Sequence, residues 1–167
     1  MKSTSSDVPT PWSFEWTWDT RAAYVKQKLP RGAGNRSDGS SDAGACVLWV
    51  RENMVCADDF VPHLAVRAEQ MGCGNCGEQA AVAYMFLKKR GVRSLDYMNL
   101  NDPSGDAVHS FVVIGFQGAG ATSSGWGESA VICDPWDGGQ VYAAWKIDMN
   151  MSLWVSGSTV ESLYRVS

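Results

Sequence analysis

The stretch Gln70-Met71-Gly72-Cys73-Gly74-Asn75-Cys76-Gly77-Glu78-Gln79 decides how this chain is read. Small and turn-prone residues surround a cysteine, and the chain then runs into the apolar, Ala-rich residues 80–87 and ends in Lys88-Lys89-Arg90-Gly91. The pattern predicts a glycine-rich turn feeding a helix of about four turns. Basic residues complement its C-terminal dipole and a glycine follows as a cap. Cys76 then falls at the helix N-terminus, where unpaired N–H groups and the positive dipole end favour thiolate over thiol. Flanking glycines let a substrate backbone approach. A nucleophile uses both features, whereas a core cysteine needs neither.

Working outward, Asp58 and Asp59 precede residues 60–71, expected to be helical, with Pro62 suited to a first turn. Asp42 caps a further expected helix reaching about Met54, and 21–29 reads as a short helix stopped by Pro30. Between them lies a Gly, Ser, Asn and Asp loop over 31–41. Residues 1–20 read as an N-terminal arm, polar at first and then dense in aromatics (Trp12, Phe14, Trp16, Trp18) that fit either packing on the body or binding a partner. Residues 21–167 read as one domain. Downstream, 94–100 has strand composition, 101–106 is a turn, and 108–116 is the strongest strand signal, mostly branched or aromatic. A Gly and Ser loop over 117–127 precedes a strand at 129–133, and the turn at 134–139 leads into 140–147. The last twenty residues are ambiguous. Helices first and strands later predict an α+β fold with an antiparallel sheet.

Composition narrows the function classes. A chain of 167 residues buries about two-thirds of its unfolded surface. A net charge of −4 argues against a nucleic-acid partner, since phosphate binding wants a basic face. No apolar run is long enough to span a bilayer. The opening Met-Lys-Ser-Thr-Ser-Ser-Asp has no hydrophobic segment, so no conventional signal peptide is expected. Five cysteines are too scattered for a disulfide scaffold and fit a reducing compartment with one reactive thiol.

A cysteine nucleophile wants a base, and the base an orienting group. Of two histidines, His63 falls inside the expected 60–71 helix and would be poorly aimed. His109 opens the best strand. Asp134 ends the following one, so adjacent antiparallel strands can bring it beside His109. Bland alternatives exist for each piece. A cysteine at a helix start is often inert, a strand histidine is often structural, and Asp-Pro commonly starts a turn. Cys73 and Cys76 also form a CxxC, compatible with a redox pair or half a zinc site. A redox pair would follow a strand, however, and Cys46, Cys56 and Cys133 supply no second pair. Cys133 is expected to be buried, and Glu78 to stabilise the helix start. Asp102 and Asp106 are loop carboxylates that could replace Asp134 under another strand order. No metal and no cofactor are expected.

Gln-x-x-Cys-Gly-x-Cys resembles the active-site signature of the papain-like cysteine protease superfamily. The resemblance implies a papain-like minimal core, in which N-terminal helices place the nucleophile at a helix N-terminus packed on an antiparallel sheet. It implies Cys76 as nucleophile, His109 as base, Asp134 as the group orienting the imidazole, Gln70 in the oxyanion hole with the Cys76 N–H, and Trp136 beside the site as a substrate-binding residue. Cys73 matches a cysteine that family members often hold in a disulfide. Gly77 departs from the aromatic residue usual after the nucleophile. The short stretch between Cys76 and His109 is similar to compact bacterial toxin and effector domains and protein-glutamine deamidases. These hydrolyse a glutamine side-chain amide or a peptide bond of a target protein. Transglutamination shares the same acyl-enzyme. The implied setting is a bacterial effector, delivered or secreted, acting on a protein substrate in a target-cell cytosol, with an inhibitor or immunity protein as a further partner. The non-enzymatic alternative is a binding or immunity module on the same scaffold.

Overall fold

A computed structural model describes residues 60–71, 74–118, 125–136 and 139–166. The aromatic arm within 1–20 and the helices expected over 21–29 and 42–54 lie outside the described residues, as does Cys73. The described part is α+β. Helix α1 (Phe60–Met71) is followed by α2 (Cys76–Lys89), and then by strands β1 (Leu95–Asn101), β2 (Ala107–Ile114), β3 (Val131–Asp134) and β4 (Gln140–Ala143). A 3-10 turn (Ala144–Lys146), the single-turn α3 (Ile147–Asn150) and β5 (Thr159–Val166) complete it. The five strands form one sheet in the order β4-β3-β2-β1-β5, with every recorded pairing antiparallel.

Both faces of the sheet are covered, which explains why β2 and β3 read as nearly continuous apolar runs rather than alternating ones. On one face Ala80, Ala81, Ala83, Tyr84 and Leu87 of α2 pack on Tyr97, Val112, Ile114 and Cys133, with Val61, Leu64 and Ala65 of α1 behind them. On the other, Met98, Leu100, Phe111, Val113 and Ile132 meet Trp126, Ile147 and Met151. The alanines of α2 let the helix approach the sheet closely. Tyr97 Oη, buried, reaches across this interface to donate to the Gly77 carbonyl at 3.2 Å. That bond fixes the start of α2 over β1.

The segment 140–147 changes character at Ala143. The strand ends there because the chain must fold under the second face, where Ala144 and Ile147 are buried. The ambiguous C-terminal residues form the edge strand β5. Its side chains are mostly exposed, so it lacks apolar alternation. Besides its ladder to β1 and buried Val160, polar contacts hold it: buried Asp96 accepts from Ser162 Oγ at 2.6 Å and from Arg165 Nε at 2.7 Å. A register slip between Tyr97 and Met98 accompanies this pairing.

Leu87 is fully buried at the centre of the helix–sheet core. Leu87→Ala is expected to lower the unfolding free energy by about 2–5 kcal/mol in urea titration. An unchanged midpoint would contradict this packing.

Candidate active site

Cys76 is the first residue of α2, and the turn before it is built around it. Asn75 is the N-cap: its Oδ1 accepts from the Gly77 N–H at 3.2 Å, and the Glu78 backbone completes the capping box. Glu78, fully buried, returns the bond by accepting from the Asn75 N–H at 3.0 Å. Gln79 N–H bonds the Asn75 carbonyl, and Gln79 Nε2 donates to the Gly74 carbonyl at 3.1 Å. Glycine at position 74 is required by contact, since an added Cβ would collide with Glu78 Cβ. With these bonds made, the Cys76 N–H is left without an acceptor among the described residues. A donor at the positive end of a helix therefore stands open next to the thiol.

His109 sits near the start of β2 and Asp134 at the end of β3. The register Val112↔Cys133, continued one step, puts Asp134 across from Phe111 and on the diagonal from His109. The two side chains meet there: His109 Nε2 lies 2.6 Å from Asp134 Oδ2, and both are buried. Nε2 is thereby committed. Nδ1 is buried without a hydrogen-bond partner among the described residues, and the ring and the Cys76 sulfur each favour the charged form of the other. The ladder to β3 stops short of Ser110, whose backbone N–H favours the charged form of the sulfur.

These contacts set the protonation states. Burial opposes the Cys76 thiolate, but the His109 side chain, the Ser110 N–H and the Gly77 N–H outweigh it and bring the thiol below its ordinary value of 9.0. Burial likewise opposes the His109 imidazolium, yet the Asp134 carboxylate and the Cys76 sulfur raise it from 6.5 to about 9. The two shifts together favour a thiolate–imidazolium pair over the neutral pair. Cys133 behaves oppositely. Complete burial, with the Asp134 charge beside it, pushes its thiol up to about 12, so it is a core residue.

Trp136 lies over the pair: its ring is 5.5 Å from that of His109, tilted by 51°, and partly exposed. Its backbone N–H donates to Asp134 Oδ1 at 3.2 Å. Gln70 is exposed on the last turn of α1, with its Oε1 accepting from Arg67 Nη1 at 3.4 Å. His63 is exposed on α1. Asp102 is spent on its own turn, accepting from the Ser104 hydroxyl at 2.6 Å and from the Asp106 N–H at 3.0 Å.

Residue reasoning missed Asn75, Tyr97 and Ser110. Asn75-x-x-Glu78 is a capping-box pattern and could have been found. The other two act through tertiary contacts that no local pattern reports. Among the described residues no cluster of His, Cys, Asp and Glu is arranged to hold a metal, and no helix is long and apolar enough to cross a membrane. No protein family matches this chain, and neither does any curated protein or solved structure.

Because His109 titrates higher folded than unfolded, its pairing contributes stability that is fully present below pH 6.5 and is lost as pH rises through about 9. The ring resonances of His109 in proton NMR are expected to titrate near about 9, and to titrate lower in Asp134→Asn. A titration that ignores this substitution would break the link between the two groups.

Proposed function

We propose that the chain is a cysteine-dependent amidohydrolase of papain-like type, with Cys76, His109 and Asp134 as its triad, acting on amide bonds of a target protein. The observation that carries the reading is the buried His109–Asp134 pair at 2.6 Å, with the Cys76 sulfur at the start of α2 electrostatically coupled to the same ring. A buried histidine bridging a thiol and a carboxylate is costly unless each partner is used.

The Cys76 thiolate attacks the carbonyl carbon of a carboxamide and forms a C–S bond. The Cys76 N–H, open at the helix start, donates to the developing oxyanion. The imidazolium gives its Nδ1 proton to the departing nitrogen as the C–N bond breaks, leaving a thioester. Water then attacks the thioester while Nδ1 takes its proton. Collapse breaks the C–S bond and restores the thiolate. Asp134 holds Nε2–H throughout and stabilises the imidazolium. Gln70, which the family resemblance implies as a second oxyanion donor, is exposed on α1 beside Arg67 and takes no part in this scheme, and Trp136 shields the pair beside the substrate.

Deamidation of a glutamine side chain is the favoured form of this chemistry. The described residues between Cys76 and His109 make one helix, one strand and a tight turn, with no second lobe to wall a long peptide cleft. A bacterial toxin or effector acting on a host or rival protein is the setting that this compactness suggests. Peptide cleavage and transglutamination use the same thioester and differ in what enters and leaves. A binding or immunity module is disfavoured, since it would have no use for all three groups.

Cys76→Ala is expected to abolish activity while the far-UV circular dichroism is kept. Intact mass spectrometry of candidate targets then separates the outcomes. Replacement of NH2 by OH marks deamidation, and fragments mark proteolysis. Activity is also expected to fall above about pH 9, as His109 loses the proton it must donate. Full turnover by Cys76→Ala would refute the assignment.

A further inference from the structure

Beyond the triad, one polar row runs from Cys76 across the sheet. Ser110 on β2, Asn99 on β1 and Glu161 on β5 are direct register partners, so they stand side by side on one face. It is the face that carries α2, because Tyr97, two residues before Asn99, packs in the α2 core and bonds Gly77. The register slip between Tyr97 and Met98 turns Glu161 to this side, while Ser162 turns to the other and bonds Asp96. The row begins near Cys76, since Tyr97, on the same face two residues before Asn99, bonds the carbonyl of Gly77, the neighbour of Cys76.

The members are arranged to receive something. Ser110 Oγ donates to Asn99 Oδ1 at 2.8 Å, which fixes the amide and leaves its N–H groups without a protein acceptor among the described residues. Glu161 is exposed and has no cationic partner among the described residues. With neighbouring strands about 4.8 Å apart, Glu161 lies two spacings, about 10 Å, from the Ser110 end. An extended lysine or arginine side chain spans most of that reach.

We propose that Ser110, Asn99 and Glu161 form the substrate-recognition strip of the Cys76 site, selecting a protein segment with a cationic side chain beside the amide attacked. This rests on the reading of Cys76 as the nucleophile of an amidohydrolase. Asn99 donates to a backbone or side-chain carbonyl of the bound segment, and Glu161 accepts from the lysine or arginine head. Glu161 is the specificity-determining residue and takes no part in bond breaking.

The test uses the full chain and two iodoacetamides, one with an aminopentyl arm and one with a pentyl arm. In each the Cys76 thiolate forms a C–S bond and iodide leaves with the C–I pair. The aminopentyl reagent is expected to alkylate Cys76 about threefold faster at low salt, with the advantage shrinking as salt is added. Glu161→Gln is expected to equalise the rates and Glu161→Lys to reverse the preference. Equal rates in the unsubstituted chain, or an advantage that survives Glu161→Gln, would overturn the strip while leaving the nucleophile standing. Failure of plain iodoacetamide to label Cys76 at mildly acidic pH would overturn both.

Discussion

A sulfur held between a helix start and a strand end is the contact on which the rest of this structure depends. Cys76 opens α2, and the His109 side chain with the Ser110 and Gly77 backbone N–H groups favours its charged form. None of these would suffice to overcome burial, which opposes a charged sulfur. Together they reverse its effect. The arrangement requires α2 to lie along β2 with its N-terminus at the level of Ser110. The alanine-rich helix face and the Tyr97 bond to Gly77 provide that alignment. The packing of the first core thereby sets the electrostatics of the site.

The cap before α2 does a second job. A helix start normally leaves several N–H groups to water. Here Asn75, Glu78 and Gln79 satisfy one another's backbone and the turn, so the first helical turn is closed except at Cys76. The open donor is thus adjacent to the Cys76 thiol, where the proposed reaction would develop its oxyanion. Gly74 belongs to the same design because Glu78 occupies the space any side chain there would need.

Much of this was legible in the chain because it is local. The turn, the helix it feeds, the apolar strand after His109 and the Asp-Pro turn after β3 all carry short-range signals, and the α+β class follows from their order. What escaped is what depends on register. Edge strand β5 is mostly exposed and is held by Asp96, Ser162 and Arg165, so periodicity says little about it. Trp126, fully buried from within a glycine and serine loop, looks like a loop residue by composition. Gln70 has the expected spacing from Cys76 yet faces solvent beside Arg67, because helix α1 continues to the residue after it and sets its direction.

The central claim is that Cys76 is a thiolate paired with a protonated His109. Ultraviolet absorbance of thiolate, followed against pH and corrected with Cys76→Ala, measures it directly. The account predicts a thiolate signal that appears below the ordinary thiol value of 9.0 and moves up when His109 is replaced by alanine. A signal that appears only at or above the ordinary value, and is indifferent to His109, would contradict it.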